Sequence, residues 1–459
     1  MLLVSFAHAA SVTLNPGDDV VTLTASLGAG DEIVFSAGTY TIEGTASWSG
    51  VGTADAPIVL RGDGDVVIET TAGWAVATIE DAAFIEVRGL TFRAAEGNTG
   101  AGGLYVSNSS DVTITDVEIG PTAYWGLRLD GNVTRARIER VHVHDAEGGD
   151  GIYAGCGDAS CWTQESVFAN NWVHDVAGYG IELGPGGQAN EIVDNVVYRV
   201  AGWALVTQST EYGPQNVVER NVAWEFGEGG LYCGGAAVVR NNVLFNGAEY
   251  GMMLDADSEG IADMVASHNT IADVDGWGLQ VHDWAGHTGM VLANNVIANP
   301  TGYALYFDDA GYDADSLLTN NVVTGLVDNA EGYAGNTVAF VPGGGYTDFA
   351  DAEAWDFYPS SGSALLDAGD PRSEAWVPAT DFNGAPRDGD APDAGAYEWA
   401  GGDNPGWALS EGFKDVDAYA GAEAEVQGGC CAKKDAGAGE AALLLFGVGQ
   451  VFRRRRERR

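Results

Sequence analysis

Short blocks in which every second residue is apolar recur along most of the chain. Each block starts after a small residue, Gly or Ala, that lies nine positions after one of six asparagines: Asn171, Asn195, Asn221, Asn242, Asn269 and Asn295. Alternation with a period of two predicts a β-strand. The asparagines are 21 to 27 residues apart. A repeat of this length, which cannot bury its apolar face alone, predicts a solenoid of stacked parallel strands.

Stacking turns equivalent positions of successive coils into ladders, with about 4.8 Å between neighbours. One inward ladder is predicted to contain Leu127, Ile152, Ile181, Leu205, Leu231, Met252, Leu279 and Leu305. A second, two residues further along each strand, is predicted to contain Leu129, Ala154, Leu183, Thr207, Cys233, Leu254, Val281 and Phe307. The recurring asparagine is expected to hydrogen-bond its copies in adjacent coils. A column of aromatic residues before the small residues is expected to pack at a turn.

These features resemble the right-handed parallel β-helix families with a pectate-lyase-like fold, which have three strands per coil and an asparagine ladder at one turn. The first coils, "LNPGDDVVTLTASLGAGDEIVFSAGTYTIEG" and "GTADAPIVLRGDGDVVIE", are similar to those of secreted polysaccharide-lyase-type β-helices. The resemblance implies an all-β, single-stranded parallel β-helix over residues 10–342. It does not fix an activity, because the fold also occurs in hydrolases, epimerases, adhesins and phage spikes.

The segment after the repeats resembles a choice-of-anchor module of secreted β-helices. The matching stretches are residues 363–369, 381–384 and 393–398, which read "SALLDAG", "DFNG" and "DAGAYE". We expect residues 343–400 to form a cap, because the open end of a solenoid exposes unpaired strand edges.

The two ends of the chain suggest export. Residues 1–9 end in a small-x-small pattern and are interpreted as the remnant of a signal peptide. Residues 401–427 form a Gly-, Ala- and acid-rich stalk. Residues 428–459, with Cys430, Cys431, an apolar stretch and an arginine cluster, resemble the MYXO-CTERM sorting signal. That resemblance implies a sorting machinery that engages the segment and display on the cell surface; a plain C-terminal membrane helix is the alternative.

The charge and cysteine content of the chain limit the classes of molecule that it can bind and indicate where it matures. The chain carries 66 acidic and 21 basic residues, a formal net charge of −45, and six of the basic residues lie in 453–459. The body therefore has little positive surface, which excludes nucleic acid as a partner. The proximity of Cys156 and Cys161 predicts a disulfide typical of exported proteins, and Cys233 on an inward ladder predicts a buried thiol. We expect a monomer.

The outward positions of the strand after each small residue predict a binding surface. Aromatic, acidic, amide and arginine side chains alternate there, as a sugar-binding surface requires. The candidate substrate-binding residues are Arg128, Tyr153, Glu182, Gln208, Tyr232, Gln280 and Tyr306.

One column of this surface is a candidate catalytic site. Asp255, His282 and Asp308 come from successive coils, which places the two aspartates about 9.6 Å apart by the stacking distance. This separation is close to the acid–base spacing of inverting glycosidases. Three further acidic residues are candidate calcium ligands: Asp257, Asp283 and Asp309. Calcium or sugar binding, and a solvated acidic edge, remain alternatives for the whole column.

A second candidate contains paired histidine and aspartate residues. His144–Asp145 is predicted to stack on His174–Asp175, with Asp150 and Glu182 nearby. A His–Asp pair is the minimal general base, but an aspartate at this position also suits a turn.

These observations predict a surface-anchored extracellular β-helix that binds a polysaccharide, and they leave open that it also processes it. The first alternative is a polysaccharide hydrolase or lyase. No lysine occurs before residue 401, so the Lys/Arg pair of the alginate-type lyases that the chain resembles has no complete match. The second alternative is a non-catalytic adhesin that binds calcium; no other cofactor is indicated.

Overall fold

The computed structural model describes residues 10–209, 214–256, 261–308, 312, 315–328, 340–372 and 376–418. The chain winds into a parallel β-solenoid in which a typical coil adds one strand to each of three sheets, here named A, B and C. Residues 1–9 and 428–459, with Cys430 and Cys431, lie outside the described residues, as do Asp257 and Asp309. Among the described helices, none has the length and apolar character needed to cross a bilayer.

Six long strands bend at a corner and contribute to two sheets: β2 (Glu32–Ile42), β4 (Ile58–Thr70), β9 (Ser110–Ile119), β12 (Arg137–Ala146), β31 (Val296–Phe307) and β33 (Asn321–Asp328). Sheet A, which follows the small residue of each repeat, also contains β3 (Ala46–Trp48), β5 (Ala75–Glu80), β8 (Gly102–Ser107), β10 (Leu127–Asp130), β13 (Ile152–Ala154), β17 (Ile181–Gly187), β20 (Trp203–Ser209), β23 (Gly229–Cys233), β26 (Tyr250–Asp255) and β29 (Trp277–His282).

Sheet B also contains β1 (Ser11–Leu14), β6 (Ala83–Arg88), β11 (Val133–Thr134), β14 (Thr163–Gln164), β15 (Val167–Ala169), β18 (Glu191–Val193), β21 (Asn216–Glu219), β24 (Ala237–Arg240), β27 (Val265–Ser267), β30 (Val291–Ala293) and β32 (Leu317–Thr319). Sheet C also contains β7 (Thr91–Ala94), β16 (Trp172–Val176), β19 (Val196–Val200), β22 (Val222–Phe226), β25 (Val243–Gly247), β28 (Thr270–Val274) and β34 (Phe340–Pro342).

A few elements lie outside the stack. A one-turn helix, α1 (Val20–Leu23), precedes β2, and two 3-10 turns span Gly345–Asp348 and Ala352–Ala354. The strands β35 (Phe349–Asp351) and β36 (Asp356–Pro359) form an antiparallel pair.

The strand register confirms both inward ladders. Leu127 pairs with Ile152, and each following residue of the first ladder pairs with the next as far as Leu305. The second ladder follows the same register, and all side chains of both ladders are buried. Cys233 is a buried free thiol whose pKa burial raises to about 12. The core is therefore the interior of the solenoid.

The asparagine ladder is also confirmed. From Asn171 to Asn321, each side-chain Nδ2 donates to Oδ1 of the next asparagine at 2.8 to 3.0 Å. The residue before each ladder asparagine has a φ between 50° and 59°, so the chain turns there in the left-handed region. A shorter ladder of Ser166, Asn190 and Asn216, at the turn from sheet A to sheet B, was not predicted.

The segment after the solenoid lies elsewhere than the predicted cap. The described residues of 343–418, which include the first part of the predicted stalk, run back along the side of the solenoid. Aromatic residues such as Phe357, Tyr397 and Trp407 join a buried cluster with Tyr198, Trp224 and Phe245 of sheet C. The reason is that strands of sheet C between Val196 and Val322 have apolar side chains on both faces, so their outer face must be covered. The segment therefore covers the apolar outer face of sheet C rather than the open end of the stack.

Candidate functional site

The predicted binding surface forms one continuous row on the outer face of sheet A. The register runs from Arg128 through Tyr153, Glu182, Val206, Tyr232, Met253 and Gln280 to Tyr306. Gln208 lies two residues beyond Val206 on β20. The row is more buried than predicted, since Tyr153, Glu182 and Gln280 are only 8%, 9% and 5% exposed. Side chains of adjacent coils therefore cover one another.

An aromatic column borders this row. The rings of Trp203, Tyr250, Trp277 and Tyr303 follow one another with centroids 5.6, 5.4 and 6.3 Å apart. Gly229 occurs between Trp203 and Tyr250 because a Cβ there would lie 2.1 Å from the Trp203 ring. The column gives the binding surface a flat apolar edge.

The best-defined cluster of charged groups on sheet A surrounds Glu182. The guanidinium of Arg128 lies 5.0 Å from the ring centre of Tyr153, which precedes Glu182 in the register. The same guanidinium forms an ion pair of 3.0 Å with Asp130. Asp150, in the turn before β13, accepts a hydrogen bond of 2.8 Å from the backbone N–H of Tyr179.

Burial changes the protonation of this cluster. Burial, and then the negative charge of Asp150, raises the pKa of Glu182 to about 7, although Arg128 acts in the opposite direction. Burial likewise raises the pKa of Asp150 and the pKa of Tyr153, the latter to about 12. At neutral pH Glu182 is divided between its acid and its carboxylate form, so it can either donate or accept a proton.

The predicted column of Asp255, His282 and Asp308 lies on the same sheet. Asp255 pairs with His282 in the register, and Nδ1 of His282 lies 3.4 Å from Oδ2 of Asp308. The Tyr232 hydroxyl donates to Asp255 at 3.0 Å. The structure thus brings the three residues together on one side, as predicted.

The predicted calcium ligands receive no support from this column. Of the three, only Asp283 is described; its backbone N–H donates to Asp308 at 3.4 Å. Two groups of three candidate metal ligands occur among the described residues, and neither contains Asp283. One of them, Asp130 with Cys156 and Cys161, contains the disulfide that joins the two cysteines.

The paired histidines lie on sheet C, apart from Glu182. His144 pairs with His174, and Nδ1 of each donates to the following aspartate, Asp145 at 2.7 Å and Asp175 at 2.6 Å. Grouping them with Asp150 and Glu182 was wrong, because Glu182 belongs to sheet A and Asp150 acts on Glu182. Both aspartates adopt φ values near 50°, which agrees with the turn interpretation.

Sequence reasoning missed two members of the histidine cluster. His142 precedes His144 by two residues on β12, and Glu118 of β9 pairs with His142 in the register. The signal was available, because an HVH sequence within a strand places both imidazoles on one face. Glu118, His142 and His144 form the second group of candidate metal ligands. Burial, followed by the charges of His144 and His174, lowers the pKa of His142 to about 3.

Comparison with known proteins identifies the class of fold. Residues 78–223 match the family described as the right handed beta helix region. Pectate lyase Pel9A is similar at 16% identity and a TM-score of 0.51, over 85% of this chain and 97% of that protein. The A-module of the Azotobacter vinelandii mannuronan C-5 epimerase AlgE6 is similar at 16% identity and a TM-score of 0.55, over 68% and 91% of the two chains. No curated protein matches in sequence. The fold is therefore a right-handed parallel β-helix.

Proposed function

We propose that this protein binds an extracellular polysaccharide along the outer face of sheet A and cleaves it, with Glu182 as the group that transfers the proton. The observation that carries this proposal is the pKa of Glu182, raised to about 7 on a surface lined by aromatic and hydrogen-bonding side chains. A glutamate in this state costs folding energy, and such groups concentrate at active sites. The two structural relatives named above, a pectate lyase and a mannuronan epimerase, fit a polysaccharide substrate.

The residues around Glu182 have distinct roles in this proposal. The aromatic column packs against the apolar faces of sugar rings, while Tyr153 and Arg128 hydrogen-bond their polar substituents. In a hydrolysis, protonated Glu182 gives its proton to the departing oxygen as the glycosidic C–O bond breaks, water adds to the anomeric carbon, and the proton that the water loses restores the acid form of Glu182. In an elimination, ionised Glu182 instead removes the proton from the carbon next to a uronate carboxyl group. A C=C bond forms as the C–O bond to the departing sugar breaks, and the proton on Glu182 passes to the departing oxygen. Both reactions need a carboxyl group that titrates near neutral pH.

Product analysis with one substitution tests the proposal. The protein is incubated with a panel of neutral and uronate polysaccharides, and new reducing ends and unsaturated products are both measured. Hydrolysis yields the first alone, and elimination yields both. Glu182→Gln is expected to lower the rate at least about 100-fold, as loss of an acid–base group does. The control Glu191→Gln, exposed on sheet B in the same coil, is expected to leave the rate unchanged.

Three results would contradict the proposal. Equal rates for the wild type and Glu182→Gln would exclude Glu182 from the chemistry. Retardation of glycans in affinity electrophoresis without any product would indicate a binding protein. A chain that neither binds nor cleaves, yet gains thermal stability with calcium, would fit the adhesin alternative.

The proposal includes export and attachment to the cell surface. The disulfide between Cys156 and Cys161 is typical of proteins that mature in an oxidising compartment. The sequence of residues 428–459 adds its resemblance to a sorting signal. Protease treatment of intact cells should digest the wild-type protein, and replacement of Cys430 and Cys431 by alanine should release it into the medium. Protection from protease in intact cells would contradict surface display.

A further inference from the structure

The outer face of sheet C carries a cluster of metal-binding side chains that the proposed glycan site does not use. Glu118 lies on β9, His142 and His144 on β12, and His174 on β16, so the four come from three consecutive coils. One ligand atom from each of Glu118, His142 and His144 lies within 4.8 Å of the others. Nε2 of His174 is 2.9 Å from Nε2 of His142.

Two neighbouring aspartates fix the hydrogen positions on this cluster. Asp145 and Asp175 contact Nδ1 of His144 and His174 at 2.7 and 2.6 Å. An ionised carboxylate can only accept, so both Nδ1 atoms carry hydrogen, and Nε2 of each ring is the atom that can bind a metal. Metal-binding histidines are commonly held by a carboxylate in this way.

Nε2 of His144 faces the carboxylate of Glu118, with 3.3 Å between the nitrogen and Oε1. Nε2 of His142 contacts Nε2 of His174, and a ligand atom of His142 also lies within 4.8 Å of those of Glu118 and His144. Three side chains from two adjacent coils therefore direct their ligand atoms toward one point.

Packing restricts the rings to this arrangement. His142 stacks on Trp172 with centroids 3.8 Å apart and an interplanar angle of 5°, and His174 stacks on Tyr198 at 5.1 Å and 4°. Phe413 of the returning C-terminal segment contacts His142 edge-on. Preorganised rings reduce the entropy lost on binding an ion. A groove of about 730 Å³, lined by Glu118, His142 and His144 among others, gives an ion access from solvent.

We propose that Glu118, His142 and His144 bind one divalent transition-metal ion of the Zn²⁺ class. Imidazole and carboxylate ligands suit zinc, whereas calcium prefers oxygen ligands alone. Binding replaces the hydrogen bond between His142 and His174, and His142 then carries its hydrogen on Nδ1. The ion joins two adjacent coils next to Phe413 and is independent of Glu182.

Calorimetric titration with zinc tests this site. Untagged full-length protein is titrated with ZnCl₂ near neutral pH in excess CaCl₂, which saturates sites made of carboxylates alone. We expect one zinc ion per chain with a micromolar or lower Kd, and a melting temperature that rises with zinc and falls again with EDTA. Glu118→Gln is expected to raise Kd at least tenfold, and His142→Gln or His144→Gln to abolish binding.

Two controls separate this site from other histidines and from the glycan site. His287→Gln removes a remote histidine whose Nδ1 contacts the carbonyl of Ile261, and it should bind zinc as the wild type does. Glu182→Gln should also bind zinc normally. Because Glu118 is exposed, Glu118→Gln tests the site with little effect on folding. Absence of zinc binding to the wild type, or an equal Kd in every variant, would overturn the proposal.

Discussion

The Nζ atom of Lys414 lies 2.9 Å from Oδ1 of Asp194, although 220 residues separate the two in sequence. The Lys414 side chain is buried and also donates to the carbonyl oxygens of Arg220 and Phe382. It therefore joins the returning segment to the turn between sheets B and C. Lys414, the first lysine of the chain, shares Asp194 with Arg220 and helps to hold this segment in place.

Replacement of Lys414 by methionine should loosen the C-terminal segment. The change leaves the carbonyl oxygens of Arg220 and Phe382 without this donor, whereas Asp194 keeps its ion pair with Arg220, so we expect a cost of about 1 to 3 kcal/mol. We expect faster hydrogen exchange of the backbone amides in residues 380–398, with little change in the amides of the inward ladders. The control Arg137→Met, which removes an exposed ion pair with Glu139, should leave the exchange unchanged. Equal protection in both variants would show that apolar packing alone docks the segment.

The middle of the asparagine ladder should be sensitive to a single substitution. Nδ2 of Asn242 donates to the carbonyl of Val218 and to Oδ1 of Asn269, and its Oδ1 accepts from the backbone N–H and Nδ2 of Asn221. Asn242→Ala leaves several buried groups unsatisfied, each costing about 1 to 3 kcal/mol. We expect a clear fall in the urea midpoint, compared with almost none for the exposed Asn132→Ala. A similar small shift in both variants would mean that water or a local rearrangement replaces the ladder.

The architecture could be predicted from sequence because it depends on local periodicity. Equivalent positions of neighbouring coils lie side by side in a solenoid. Leu127 and Ile152, which are one repeat apart in the chain, are therefore paired in the sheet. The same logic brought Asp255 beside His282. Interactions that do not follow the repeat were not predictable in this way: Arg387 bonds Asn241 from 146 residues away, and no repeat spacing encodes that distance.

The protonation of Glu182 lay beyond sequence reasoning for a related reason. Its position in the outward row was predicted, and an outward position indicated exposure. The side chains of adjacent coils instead bury it, and Asp150 reaches it from a turn whose path the repeat does not specify. Its burial arises from three-dimensional packing, whereas its place in the row arises from periodicity.

A comparison of variants should separate the two candidate catalytic positions on sheet A. If Glu182 transfers the proton, His282→Ala removes the contacts of its ring with Gln280, Asp308 and Tyr306, but no group that takes part in the proton transfer. We expect the rate of glycan cleavage to fall less than about tenfold in His282→Ala, as for a contact worth about 1 kcal/mol. In Glu182→Gln it should fall at least about 100-fold. The reverse order would move the chemistry to the column of Asp255, His282 and Asp308.

Glu182 should also make the stability of the fold depend on pH. Its folded-state pKa of about 7 lies above the ordinary glutamate value of 4.5, so the folded protein holds a proton that the unfolded chain releases between these values. The stabilisation is complete below pH ~4.5 and is lost as pH rises through ~7, a change of about 3 kcal/mol for one nearly buried group. Glutamine cannot ionise. The free energy of unfolding of Glu182→Gln, relative to the wild type, should therefore increase by about this amount from pH ~4 to pH ~8, as measured by urea denaturation.

The control for this linkage is Glu191→Gln, whose exposed side chain should give a difference from the wild type that is the same at both pH values. A constant difference for Glu182→Gln as well would show that its carboxyl group titrates normally, and the proton-transfer role would then lose its basis. If Glu182→Gln gains stability at high pH and also loses cleavage, the raised pKa of Glu182 and its role in proton transfer are both supported. This result would show that the fold tolerates an unfavourable ionisation at this position, as proteins do where a strained group serves catalysis.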